Sequence, residues 1–356
     1  MELKDTPTHI ESNEAGFDIL IPNPDLHLAT SGVVLVIGFL GIVGNTLIVF
    51  VKTRRQMASP TSCFFTALAI SDLLLLCVIM IFSIYEIAMV GGNFSRTKGF
   101  VLVMMYLHRL FVTTTCWLTV AVAITRCLQI RCIPRLLVLC SMARIRIVCA
   151  VIFISSFALQ TFQFLPVCID TTDLGVTLFK VAGVMNLVFS FFLPFGLLVI
   201  SNAFLIHQLA SHRQVMLRYF NRSPMSKTSG QPRKATRSAS SPETSTANSS
   251  LSSLPQRSCA PHLTSARLSG VSKKMQTSTD VKRVTVIVLA TTVCLLVCYP
   301  FEAVVTYFSL LIGASDDTCY LQYLAMVLLV TNSSMNFLFY FTISCKFRRT
   351  VIGLIR

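Results

Sequence analysis

Charge is what this sequence has least of. Asp, Glu, Lys and Arg make up only 13% of its 356 residues, where an ordinary soluble domain carries about 25%. Acid is scarcer than base, with 15 Asp and Glu against 30 Lys and Arg and a net charge of +15. An excess of that size serves nucleic acid when the basic residues share one soluble face. Here they fall into short clusters between long apolar runs, which excludes a nucleic-acid partner. Tryptophan is nearly missing, Trp117 being the single one. The 13 cysteines lack paired metal-ligand spacing and the regular framework of a small secreted protein. Most lie in apolar segments and read as small buried hydrophobes. No basic region precedes an apolar core in the first 28 residues, so a cleaved signal peptide is not expected.

What the sequence has is long apolar stretches, near 29–51, 63–90, 100–128, 144–167, 178–207, 284–312 and 319–343. A hydrocarbon layer about 30 Å thick takes roughly 20 helical residues to cross, and each stretch is long enough. A membrane strand needs only about 9–11 residues of alternating polarity, and in lipid a helix satisfies its own amides. The expectation is an all-α membrane protein, a seven-transmembrane helix bundle embedded in the lipid bilayer. Its divisions are an extracellular N-terminus over 1–28, a membrane domain over 29–343, a long loop over 208–283 between the fifth and sixth helices, and a tail over 344–356.

Basic residues set the orientation. Lys52, Arg54 and Arg55 follow the first span, Arg131, Arg135, Arg144 and Arg146 lie between the third and fourth, and Lys346, Arg348 and Arg349 follow the seventh. With the basic series from Arg213 to Arg283, they mark one side as cytoplasmic. The acidic N-terminus, Asp170, Asp173, Asp316 and Asp317 mark the other as extracellular. Asn93-Phe94-Ser95 on that side is a glycosylation acceptor. Between about Pro224 and Thr279, Ser, Thr and Pro dominate and aromatic residues vanish. Such a composition cannot bury enough apolar surface to offset its ordering, so a disordered loop with kinase-accessible hydroxyls is expected.

Polar residues inside spans are costly, and each is a functional candidate. Asn45, Asp72 and Asn336 lie at similar mid-to-inner depths in the first, second and seventh spans. They could form one polar cluster holding a sodium ion, with Asp72 as its charged metal ligand; a structural hydrogen-bond network is the other reading. Arg126 ends the third span. Pro194 and Pro300 each remove a helical hydrogen bond and are expected to bend the fifth and sixth helices. Nearer the outside lie Glu86, His108, Arg109, Gln160, Gln163, Lys180, Glu302, Tyr307 and Tyr323. Polar side chains from most of the spans at one level imply an open, ligand-binding cavity facing the extracellular solution. Cys168 and Cys319, in external segments, are candidates for a disulfide.

These landmarks resemble the rhodopsin-like G-protein-coupled receptors over about residues 29–350, the long loop excluded. Gly44-Asn45, the connection from Arg54 to Asp72, and WLTVAVAITR from Trp117 to Arg126 resemble neuropeptide receptors of the FMRFamide type. FLPF around Pro194, CYPF around Pro300, and NSSMNFLFY from Asn332 to Tyr340 followed by CKFRR complete the set. The resemblance implies a plasma-membrane receptor that binds an extracellular peptide or small molecule and activates a heterotrimeric G protein, with kinases and arrestin as further partners. It implies no organic cofactor, and sodium at Asp72, Asn45 and Asn336 as an allosteric modulator. It assigns Arg126 and Tyr340 to G-protein activation and starts a short C-terminal amphipathic helix at Lys346 to Arg349.

The sequence departs from the family pattern at several places. Thr125 stands where an acid usually precedes the arginine, Cys298 where a tryptophan precedes the sixth-helix proline, and Phe337 where a proline follows the seventh-helix asparagine. Asn202 replaces a fifth-helix tyrosine, and Val101 the cysteine that would bridge to Cys168. The resemblance also narrows the ligand. His108 stands in place of the aspartate of amine receptors and Val330 in place of the retinal-binding lysine, leaving peptides first. FMRFamide-type peptides end in an arginine and an amidated aromatic residue, so Glu302 is expected to receive the guanidinium, with His108 and Arg109 able to neutralise it internally.

Other classes fit less well. A channel or transporter would need more polar residues along its pore-facing side. No nucleophile–base pair or metal-ligand cluster points to an enzyme. A receptor-fold scaffold that does not couple efficiently is the main alternative, given the replaced switch residues.

Overall fold

The computed structural model describes residues 24–54, 59–90, 97–131, 141–169, 173–222, 282–305 and 316–355. Every element among the described residues is helical. Seven helices are long and apolar enough to cross a membrane, as the apolar stretches require.

Helix α1 spans Pro24–Thr53, α2 Pro60–Val90, α3 Lys98–Arg131 and α4 Met142–Ile169. Helix α5 begins at Asp173–Leu187, passes through a π-helical turn at Val188–Phe192, and continues over Leu193–Arg222. Helix α6 spans Lys282–Val305, α7 Asp316–Ile343 and α8 Cys345–Ile355. The chain divides into two units, Met1–Gln208 with Arg283–Arg356, and Leu209–Lys282. In the second unit the described residues are the helical stretch through Arg222 and Lys282.

Two expected boundaries move. Residues 24–28, assigned to the extracellular N-terminus, already form the first turns of α1. The long loop expected over 208–283 starts later, because α5 continues to Arg222. In both cases the chain stays helical past the apolar run that identified the span, since a helix does not need apolar residues beyond the bilayer.

Helix α1 packs on α2 and α7, α2 on α3, and α4 on α3 and α5. The α1 contact depends on small residues. A Cβ added at Gly44 would lie 2.7 Å from Phe337 Cβ, and one at Gly41 would overlap the Ser334 hydroxyl. Close approach of this kind supplies the dispersion contact that holds helices together in lipid. Large apolar residues such as Phe39, Leu40, Ile154, Phe157 and Ile200 are exposed, as expected of hydrocarbon-facing surface. Helix α8 is amphipathic by sequence and docks against α7 and α1. Phe347 is fully buried, and the Arg348 guanidinium donates to the carbonyls of Phe341 and Thr342, both at 3.4 Å, at the end of α7. These carbonyls belong to the final turn, which leaves its acceptors without helical donors.

Candidate functional site

Asp72 is completely buried on α2, where an unpaired polar group would cost several kcal/mol. Two helices supply its partners. Asn336 Nδ2 on α7 donates to Oδ2 at 2.6 Å, and Thr115 Oγ1 on α3 lies 3.2 Å from Oδ1 and 3.0 Å from Ser71 Oγ. Asn45 sits beside this group without bonding to the carboxylate. Its amide nitrogen donates to Gly41 O at 3.0 Å and Ser333 O at 2.9 Å, tying α1 to the α7 backbone. Its Oδ1 is buried without a hydrogen-bond partner. The sequence therefore placed three residues in one cluster, and the structure divides them: Asp72 and Asn336 touch, and Asn45 braces the neighbouring backbone. Thr115 and Ser71 were not foreseen, because hydroxyls are common in spans and carry no charge to mark them.

Toward the end with the basic connections, Arg126 is buried on α3. No acid precedes it, and its Nη1 donates to Gln129 Oε1 at 2.8 Å one turn later. Where the resemblance expects an acid at Thr125, a neutral partner, Gln129, thus meets the guanidinium. Tyr340 is buried on α7, with its hydroxyl lacking a hydrogen-bond partner. Its ring joins Phe65 and Phe347 around the Lys52 ammonium, which lies 4.6 Å from the Tyr340 centroid, 5.3 Å from Phe65 and 5.7 Å from Phe347. An ammonium so placed is attracted to each ring face. Asn202 accepts from Thr292 Oγ1 at 2.5 Å, linking α5 to α6 on this side. Phe337, standing where the resemblance expects proline, packs between Gly44 and the rings of Phe341 and Phe347.

The π turn in α5 explains two residues the sequence left without a job. In α-helical register Phe189 O would accept from the amide of Leu193, and Ser190 O from residue 194. Leu193 donates instead to Val188 O, and Pro194 has no amide to give. Both carbonyls are taken up by side chains from other helices: Trp117 Nε1 on α3 donates to Phe189 O at 3.1 Å, and Tyr299 Oη on α6 to Ser190 O at 2.7 Å. Pro194 thus lies at a register shift in α5, and α6 is helical through Pro300 to Val305. Beside this turn a buried network runs from Thr113 to Gln160 at 2.9 Å, from Gln160 to Asn186 at 3.2 Å, and through Ser190 back to Thr113 at 3.2 Å. Asn186 and Ser190 are also bonded to each other.

At the opposite end, the structure shows which of the polar residues expected to share one cavity touch one another. Arg109 Nη1 on α3 lies 3.8 Å from Glu302 Oε1 on α6, both side chains mostly buried. His108 Nε2 is buried without a hydrogen-bond partner. Glu86 on α2 lies 3.9 Å from His27 Nε2 on α1, and the His27 ring lies 5.4 Å from that of Tyr323 on α7. Gln160 belongs to the network around the π turn, Gln163 is buried with Oε1 unpartnered, and Lys180 is exposed. His27 was missed because it fell in the segment assigned to the N-terminus. A signal for it existed: the buried positions Ser31, Val34, Gly38, Gly41 and Asn45 recur every three or four residues, and one more step back reaches His27. Asn93 and Tyr307 lie outside the described residues, as do the side chains of Cys168 and Cys319, whose backbones are helical in α4 and α7.

Comparison with solved structures shows which fold this is. The chain superposes on squid rhodopsin with a TM-score of 0.65, covering 94% of this chain and 86% of that one at 12% sequence identity. The family model of the 7 transmembrane receptor (rhodopsin family) matches residues 44–340. The chain belongs to that family, and it is a multi-pass membrane protein of the G-protein-coupled receptor class. A search of curated protein sequences finds no match.

Proposed function

We propose that this receptor sits in the plasma membrane with its N-terminus outside, binds an extracellular neuropeptide, and activates a heterotrimeric G protein. The observation that carries the proposal is the mostly buried Arg109–Glu302 pair, which joins α3 to α6 at the end opposite the basic connections. A ligand guanidinium that takes Glu302, or a ligand carboxylate that takes Arg109, exchanges one ion pair for another while changing the link between these two helices. Ligand binding energy can then bias α6 relative to Arg126 and Tyr340 at the basic end, which is the differential contact a two-state receptor requires. Glu86, His108, Gln163 and Tyr323 complete the ligand-binding set, and Asn93 carries glycan. Asp72 with Asn336 seats a sodium ion that modulates the equilibrium, and kinases and arrestin act on the cytoplasmic side.

Expressing cells screened against a neuropeptide library, with nucleotide exchange as readout, test the proposal. An agonist that loses at least tenfold in potency with Glu302→Gln supports it, that loss being about 1.4 kcal/mol of a broken, desolvated pair. A second reading is favoured by Cys298 and Phe337, which stand at switch positions of the resemblance: a receptor-fold scaffold that binds ligand without coupling. Specific binding with no exchange above background in any G-protein background identifies it.

A further inference from the structure

The Lys52 ammonium has rings around it where ion pairing would ordinarily supply an acid. Its Nζ lies 4.6 Å from the Tyr340 centroid on α7, 5.3 Å from Phe65 on α2 and 5.7 Å from Phe347 on α8. All three fall within the roughly 6 Å over which a ring face attracts a cation. Among the described residues, no Asp or Glu oxygen lies within 4 Å of it. The charges that act on it, Arg126 on α3 and Lys346 on α8, are both of its own sign. The connections over 54–59 and 132–141 and the tail over 344–356, all at this end, carry no Asp or Glu.

Tyr340 depends most on this arrangement. It is only 1% exposed, and its hydroxyl is buried without a hydrogen-bond partner. What holds the side chain is therefore contact with its ring: Phe65 edge-on at 5.0 Å, Phe347 at 5.7 Å, and the ammonium. Lys52 meets all three rings, so one charge on α1 reaches α2, α7 and α8 together.

We propose that Lys52 is a positioning residue for Tyr340: its charge, shared among the three rings, latches the basic end of α7 and the start of α8 to α1 in the conformation described. Tyr340 cannot swing away from α1 without giving up the nearest ring face. Lys52 would then face Arg126 and Lys346 with less attraction to offset their repulsion. The consequence for signalling rests on the part in G-protein activation proposed for Tyr340. There the latch is a brake on basal activity, separate from the Arg109–Glu302 link at the other end.

The test uses the full chain purified in detergent, with hydrogen–deuterium exchange of peptides covering residues 337–355 as the readout, so that neither agonist nor G protein is needed. Lys52→Met keeps a long apolar stem and removes the charge, and it should raise exchange of these amides about threefold. Tyr340→Phe keeps the ring and should leave their exchange at the wild-type level. Phenylalanine analogues with one, two and three ring fluorines, placed at position 340 by nonsense suppression, draw electron density from the ring face with little change of shape. Exchange should rise step by step along that series, and the series should be flat in the Lys52→Met background. A flat series beside an intact Lys52, or the same slope with and without its charge, overturns the proposal, because packing and not the cation would then hold Tyr340. Exchange at the wild-type rate in Lys52→Met overturns it as well. If Lys52→Met fails to fold, the fluorine series in the otherwise unaltered chain decides. Basal nucleotide exchange is measured on the same Lys52→Met protein. A rise of about threefold supports the brake, and nucleotide exchange that is measurable but unchanged overturns it. Hydrogen exchange that follows the fluorines while nucleotide exchange stays at background in every protein, wild type included, upholds the latch and counts instead against G-protein coupling.

Discussion

Replacing Tyr299 by Phe removes one oxygen and keeps the ring, and with that oxygen goes the bond to Ser190 O. That carbonyl is buried beside Pro194, which cannot supply the missing amide, and Tyr299 Oη at 2.7 Å is the donor that serves it. Leaving a buried acceptor unsatisfied costs about 1–3 kcal/mol in soluble proteins, whereas hydrogen bonds measured within membrane bundles average about 0.6 and reach about 1.7 kcal/mol. A loss of about 1 kcal/mol is therefore expected for Tyr299→Phe, read as a lower thermal midpoint of the purified receptor in detergent. The origin of the effect can be separated from general disturbance of the core. Pro194→Ala restores a backbone N–H at the position four residues after Ser190, where an α-helical donor belongs. In that background the second donor makes the hydroxyl redundant, and Tyr299→Phe should cost less than half of what it costs alone. The four proteins form a double-mutant cycle with a coupling of about 0.5 kcal/mol or more. Additive losses would refute the reasoning, since they would mean that Tyr299 and the proline do not act on the same carbonyl.

Asp72→Asn should abolish the effect of sodium on agonist affinity, measured by radioligand binding with and without the ion; an unchanged response would leave the Asp72–Asn336 contact as a structural bond only. Gln129→Ala removes the acceptor that Arg126 Nη1 bonds one turn along α3. At about 1 kcal/mol for a partly buried charge-assisted bond, basal nucleotide exchange should rise roughly fivefold, whereas Gln129→Glu should lower it. Gly44→Ala puts a Cβ 2.7 Å from Phe337 Cβ, and overpacking of this kind costs about 1–3 kcal/mol. Reduced surface expression and a lower thermal midpoint are the expected outcome, and Phe337→Ala, which keeps the contacting Cβ, should not restore them.

The sequence by itself determined the seven spans, because the hydrocarbon layer imposes a length and an apolarity that few other constraints could produce. It also determined that Asp72 needed partners, since a carboxylate in the middle of LAISDLLLL has no other way to be tolerated. Asn336 was legible as one of them because it is polar at a matching depth. Depth along the axis is readable from residue counts, but rotation about the axis and register between helices are not. Those were set by packing: Gly41 and Gly44 let α1 close on α7, which carries Asn45 to the Ser333 backbone rather than to Asp72. The same rotational choice set the pairs among the outer polar residues, Glu302 with Arg109 and Glu86 with His27, which residue counts do not assign. The clearest case is the π turn. One inserted residue and one proline free two adjacent carbonyls on α5, and only the assembled bundle decides that the single tryptophan of α3 and a tyrosine of α6 are the donors within reach.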